Sequence, residues 1–555
     1  MRFNSITNRF TNISAIVIIL IIFTIAVFFS FNGYVEFDEG VNLQVPQNIY
    51  AHHIYSTNYN GGRTFDPIIS TGPTVLLPVA VSYFIANSTS VELGRLVMAF
   101  YVLLMLLGAW FLSRALYGNL AGLLITILLG CIPLLANFGI AVLGEIPAVF
   151  YCWIGILFLY HKKMNLAGLF IGLAILTKFI FLIAGIALCG TLILFWFVNK
   201  VRQSHQKNFL AFVLMPMVMI ALPNVIWELL KFITLGPANY LINLNDLIGM
   251  IGINTSGNDN SFYFRVLHQF GMLATPFQSI PGWAVFLCMI LALSWLLYQS
   301  FQQFRNEYFS GSLLTKVFLF IFSSGYLAWW TLDFYSIAWR HLMPGMIIIY
   351  LPICGFMAQF LKIVYGRVRI TFRHFKTILF AESVLGGTIS IGLLAIFFVL
   401  PVGSQISAVR KQMLDYPSYK KVQVQVAKYV SDLIDNGAHI GGWGWWQSPE
   451  ISVLTNHNFI DLAQIEARNK ADSYIAENHT VYLLVSPIQT SITPETWDTE
   501  KKYAGEEIFQ LNGYRLFKYI VQDDTLTQRK FLIQRENIAL FLPEFSFKDA
   551  PFKLK

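Results

Sequence analysis

A 555-residue chain with 56% hydrophobic and only 12% charged residues lies far from the soluble norm of about 25% charged. Its formal charge of +8 is scattered over short segments between apolar runs, which excludes a nucleic-acid footprint and points to membrane orientation. All five cysteines (Cys131, Cys152, Cys189, Cys288, Cys354) fall within apolar segments, which argues against a disulfide framework.

In chain order, membrane spans are expected near 13–32, 93–113, 119–137, 144–160, 165–181, 183–199, 208–230, 281–300, 314–332, 341–361 and 378–401. The first run, Ile13–Phe31, is about 19 residues long, and no small-residue cleavage site follows it. It therefore reads as a retained span rather than a signal peptide. The pair at 165–199 is short for two crossings and reads equally as a hairpin that dips in and returns. Between the first two spans a long loop, 33–92, carries "FDEGVNLQVPQNIYAHHIY", helical on both sides of Pro46, and then the turn-rich "NGGRTFDPIISTGP". Val75–Ile85, with Pro78 inside, is too short to span. A second long loop runs over 234–279.

After Val402 the composition changes. "YKKVQVQVAKYVSDLIDNG" reads as an amphipathic helix ending at Gly437, and "AHIGGWGWW", "FIDL", "TVYLLVS" and "YRLFKYI" read as short strands. The expected architecture is thus an α-helical polytopic membrane protein of about 11 spans over residues 1–401. A soluble α/β domain follows over 402–555.

Orientation follows from Lys and Arg. With the N-terminus inside, fifteen basic residues fall in inner loops, against six in outer segments (Arg63, Arg95, Lys178, Lys231, Arg265, Arg340). That bias places loop 33–92 and the C-terminal domain on the extracytoplasmic side. Acids gather there too, and ionisable residues at a membrane edge mark function by default.

Asp38 and Glu39 follow the first span. Asp38 reads either as the N-cap of the next helix or as a reactive carboxylate. Glu145, in "AVLGEIPAVFYCW", stands at a helix start between Gly144 and Pro147, where capping competes with function. Lys178, in "GLAILTKFIF", either snorkels to the interface or meets an anion. Arg340 and His341, in "AWRHLMPG", break the inside bias, which favours pairing with a carboxylate or a bound phosphate. His53, Arg63 and Asp66 are secondary candidates in the first loop. Acids at such a site can accept a proton or bind a divalent metal ion.

These stretches resemble the GT-C superfamily of integral-membrane glycosyltransferases. The nearest branch is the protein O-mannosyltransferase and lipid A aminoarabinose transferase group. FDEG resembles the acidic motif of the family's first outer loop. "FDPIISTGPTVLLPVAVSYFI" with "VELGRLVMAF" resembles the passage into the second span. "LGEIPAVFY" resembles the second acidic motif and "LFIGLAILTK" the Gly-Leu-Ala…Thr-Lys segment, while "WRHLMPGMIIIYLP" is a looser match. The aminoarabinose branch carries Asp-Lys-Pro-Pro where this chain reads "FDPIISTGP", so the phosphate-holding Lys of that motif is absent.

The resemblance implies transfer of a sugar from a polyprenyl-phosphate donor to a lipid, glycan or protein acceptor on the extracytoplasmic face of a bacterial-type plasma membrane. It implies Asp38 as general base, Glu39 and Glu145 as acceptor-orienting or metal-holding acids, and Lys178, Arg340 and His341 as donor-phosphate ligands. A transporter or flippase of a lipid-linked sugar is the competing expectation.

Overall fold

In the computed structural model the described residues are 2–521, except 59–61, 68, 131, 133–134, 136–138, 202–207, 256–281, 307–308, 333–338, 374–399, 444–447 and 488–500. At several helix ends, 339–341 among them, only the backbone is described.

Long apolar runs fold into helices because a chain in hydrocarbon must satisfy its own backbone polar groups. Among the described residues seven helices are long and apolar enough to cross a membrane: Arg9–Asn32, Val91–Tyr117, Phe179–Val201, Leu210–Ile248, Val285–Asn306, Gly311–Trp330 and Leu342–Ile363. Four further apolar helices are shorter: Pro73–Ala86, Asn119–Gly130, Glu145–Tyr160 and Met164–Thr177. The expected span at 378–401 falls almost wholly outside the described residues.

The elements that matter for the site are α1 (Arg2–Asn32), α2 (Phe37–His52), α3 (Pro73–Ala86), α4 (Val91–Tyr117), α5 (Asn119–Gly130), α6 (Glu145–Tyr160) and α7 (Met164–Thr177). A single 3₁₀ turn, Phe179–Phe181, joins α7 to α8 (Leu182–Val201). The pair 165–199 is therefore a short helix followed by one of spanning length. Pro46 and Pro78 are both accommodated inside helices, α2 and α3. At 14 residues α3 extends about 21 Å, less than a hydrocarbon core of about 30 Å. It buries Val75, Leu76, Val79 and Tyr83 and leaves Leu77, Val81, Phe84 and Ile85 exposed.

Helix α9 (Met215–Thr255) breaks at Gly236, where φ is +75° and Pro237 follows. Helices α10 (Gly282–Asn306), α11 (Gly311–Leu332) and α12 (Trp339–Arg373) complete the bundle. One hydrophobic core runs through it, with Trp153, Phe318, Phe322, Tyr326 and Tyr350 fully buried.

Helix α13 (Leu400–Asp435) leads into a five-stranded sheet of order β2–β1–β3–β5–β4. Its strands are β1 (His439–Gly442), β2 (Ile460–Asp461), β3 (Val481–Val485), β4 (Ala504–Leu511) and β5 (Tyr514–Tyr519), with helices α14 (Pro449–Thr455) and α15 (Ile465–Ala476) between them. Strand β1 pairs in parallel with β2 and β3, whereas β5 is antiparallel to both neighbours. The β4–β5 hairpin turns on Asn512–Gly513, both at positive φ, as a two-residue hairpin with the strand twist requires.

The quoted runs at β1, β2, β3 and β5 are strands as expected. Strand β4 was not expected, because its sequence AGEEIFQL has no clean alternation. It lies at the sheet edge, where Glu506 and Glu507 are exposed. Charged side chains suit an edge strand.

Candidate active site

Helix α2 opens with a reciprocal cap. Glu36 is the N-cap, in extended conformation, and its backbone N–H donates to Glu39 Oε2 at 3.3 Å, closing a capping box. The cap is thus Glu36, two residues before the expected Asp38. Asp38 and Glu39 occupy the first turn, where the helix dipole favours negative charge. Asp38 is half-buried.

Glu39 is fully buried and forms a fork-to-fork pair with Arg95 of α4. Arg95 Nε donates to Glu39 Oε1 at 2.7 Å and Nη2 donates to Oε2. The same guanidinium donates from Nη1 to Gly33 O at 2.7 Å and from Nη2 to Tyr34 O. Arg95 therefore fastens the exit of α1 and the start of α2 together. Its partner Glu39 also accepts from Val142 N at 3.2 Å.

Val142 is the next link. Its carbonyl accepts from Asn42 Nδ2 at 2.9 Å, so α2 holds both backbone groups of this one residue. Three residues on, Glu145 begins α6, 3% exposed, and its Oε1 lies 3.3 Å from Lys178 Nζ. Lys178 sits just after α7 in extended conformation and also reaches Ser70 Oγ at 3.4 Å. Around it, Gly72 N donates to Thr177 O at 2.9 Å, and the hydroxyls of Thr74 and Thr177 are 2.6 Å apart.

Stretches widely separated in the sequence therefore form one hydrogen-bonded group: FDEG, the Ser70–Thr74 turn, Arg95, Val142–Glu145 and Thr177–Lys178. The structure brings Glu145 and Lys178 into contact. It ties both to the helix of Asp38 and Glu39 through Val142.

The remaining candidates are distributed differently. Asp66 is buried in the first loop beside Phe65, whose φ is +54°. Phe65 packs with Tyr55 and Trp227, and its carbonyl accepts from Asn243 Nδ2 at 2.7 Å. Arg63 pairs with Asp246 of α9 on a partly exposed surface. His53 is exposed, stands at the C-cap of α2 in left-handed conformation, and stacks on Phe84. It lies about 22 Å along the helix from Asp38. Arg340 and His341 fall in the first turn of α12, where only the backbone is described.

A divalent ion does not fit the two acids named for it. Both Glu39 oxygens are engaged by Arg95 and by backbone N–H groups, and Glu145 has an ammonium as its neighbour. Among the described residues no group of three His, Cys, Asp or Glu converges as a ligand set.

Two residues that tie these stretches together, Arg95 and Asn42, were not singled out from the sequence. Arg95 counts among the outer basic residues without being a candidate, although its exception to the inside bias is the signal applied to Arg340. Asn42 gives no such signal, because its partner is a backbone carbonyl 100 residues away.

Among the described residues the architecture is a bundle of apolar helices followed by a small C-terminal sheet region, and this fold recurs in solved structures. Among solved structures, the chain is similar to ArnT from Cupriavidus metallidurans bound to undecaprenyl phosphate. The TM-score is 0.56 at 13% identity, over 91% of this chain and 98% of that one. It is also similar to the oligosaccharyltransferase of Archaeoglobus fulgidus in its apo form, with TM-score 0.51 at 13% identity over 92% of this chain and 75% of that one. No family model matches the sequence, and no curated protein matches it.

Proposed function

We propose that the chain is a glycosyltransferase. It moves a sugar from a polyprenyl-phosphate donor to an acceptor hydroxyl on the extracytoplasmic side of a bacterial-type plasma membrane. The observation that carries this reading is the Glu145–Lys178 pair, joined through Val142 to the helix bearing Asp38. It ties a cation to the helix that carries a half-buried carboxylate, which supports a site for attack by a hydroxyl and departure of a phosphate. The similarity to a structure holding undecaprenyl phosphate supports the donor class.

An acceptor hydroxyl ionises far above neutral pH, so it needs a base as it attacks. In this reading Asp38 takes the proton as the acceptor oxygen bonds to the anomeric carbon. The bond from that carbon to the phosphate oxygen breaks, and the lipid phosphate leaves with its electron pair. Lys178 stabilises the growing negative charge, with Arg340 and His341 assigned to the same phosphate. Glu145 holds the Lys178 ammonium in place, and Glu39 fixes the turn on which Asp38 sits.

The test uses the full chain in nanodiscs with a panel of polyprenyl-phosphate sugars. Asp38→Asn is expected to lower kcat by about 10²–10⁴ while binding of the lipid donor persists. Wild-type rates in that variant would overturn the base assignment. Passage of an uncleaved lipid-linked sugar across the bilayer would instead favour the flippase.

A further inference from the structure

The C-terminal region reaches the start of α2 at two points. Gln423 of α13, 6% exposed, brackets Val35: its Oε1 accepts from Val35 N at 2.7 Å and its Nε2 donates to Val35 O at 2.9 Å. Val35 immediately precedes the N-cap Glu36 and stands three residues from Asp38. Gln423 Nε2 also reaches Tyr514 OH of β5 at 3.4 Å, and that hydroxyl donates to Glu450 Oε1 of α14 at 3.2 Å. Glu450 in turn backs onto the last letter of FDEG: a Cβ at Gly40 would lie 2.7 Å from Glu450 N and 2.7 Å from Pro449 C.

One face of α13 carries the other fastenings. Tyr416, Tyr419, Lys420 and Gln423 follow helical spacing. Tyr34 packs against Tyr416 and Tyr419, and Lys420 holds Phe31 O at 2.6 Å and pairs with Glu92. The FDEG turn is thus gripped on one side by Arg95 and on the other by the C-terminal region.

We propose that Gln423 is a positioning residue for sugar transfer: by pairing with both backbone groups of Val35 it fixes the turn that aims Asp38. This rests on the glycosyltransferase reading above. A side-chain amide suits the position because it offers one donor and one acceptor, matching the N–H and C=O of a single residue. The charged and titratable groups around the bracket are Tyr34 and Glu36 beside Val35, Tyr416, Tyr419 and Lys420 of α13, the Arg95–Glu39 pair, Glu92, and Tyr514 with Glu450. Loss of two buried hydrogen bonds releases the backbone rather than any substrate contact, so the effect belongs in kcat.

The experiment compares Gln423→Ala and Gln423→Glu in the full chain in nanodiscs, by amide exchange over residues 35–41 and by transfer kinetics. Gln423→Ala is expected to speed exchange in that segment, and to lower kcat, by about 10–100-fold, with KM for the lipid donor within about threefold. Gln423→Glu separates positioning from general destabilisation. A protonated glutamic acid can make the same two-point bracket, whereas a carboxylate cannot donate to Val35 O. Relative to the wild type at the same pH, which removes the intrinsic pH dependence of amide exchange, protection and kcat should therefore return near about pH 5 and be lost near about pH 8.

Unchanged exchange and unchanged kcat in Gln423→Ala overturn the proposal. If Gln423→Ala fails to fold, a pH-independent Gln423→Glu overturns it. Should the wild type transfer no sugar, the function fails, while the exchange data still decide whether Gln423 holds the turn.

Discussion

Asp38 and Glu39 are adjacent acids whose side chains project about 100° apart around α2, and the fold gives them separate tasks. Glu39 is enclosed with Arg95, both carboxylate oxygens occupied. A buried pair is costly to break singly, because the survivor remains charged in a low-dielectric site. Arg95→Met is expected to cost about 3–5 kcal/mol, whereas adding Glu39→Gln should restore much of that loss. Thermal melting of the detergent-solubilised single and double variants checks both. Non-additivity is the signature of the pair, and additive losses would deny it. The acids at this site were readable from the sequence because charge is conspicuous at a membrane edge. Which acid is locked in a buried ion pair was not, since the deciding partner lies 56 residues away.

At the scale of elements, the fourth letter of FDEG is set by docking. Alanine at position 40 should favour an isolated helix by about 1 kcal/mol over glycine. In the folded chain its Cβ would strike the backbone of Pro449 and Glu450 at 2.7 Å, and neither can move without shifting α14. Gly40→Ala is therefore expected to destabilise despite better propensity, and to expose the 449–455 segment to protease. Faster cleavage there, with the helices intact by circular dichroism, is the expected result.

The long helices were legible from hydropathy alone, and α2 from its acidic start. The bracket by Gln423 was not, because a polar residue on an amphipathic helix looks like any other solvated position. Strand β4 was hidden for a related reason: an exposed edge lacks the alternation that a half-buried strand shows.

For the whole molecule, the joint between bundle and sheet region contains a titratable group. Burial pushes the Glu450 carboxyl from its ordinary 4.5 to about 7. The folded state therefore binds a proton more tightly than the unfolded chain. Its stabilising contribution is full below about pH 4.5 and is lost as pH rises through about 7. The difference corresponds to about 3 kcal/mol across that window. Glu450→Gln should flatten this part of the pH dependence of melting, measured between about pH 5 and pH 8. A slope unchanged from wild type would show that the joint does not sense Glu450.

The bracket between Val35 and Gln423 spans 388 positions of sequence. During synthesis α1 and α2 emerge well before α13, which follows the helices of the bundle. Until Gln423 arrives, Val35 lacks its partner and the turn carrying Asp38 is held from one side alone. Nascent chains thus enter the membrane with the turn of Asp38 incompletely assembled, and a segment translated much later completes it.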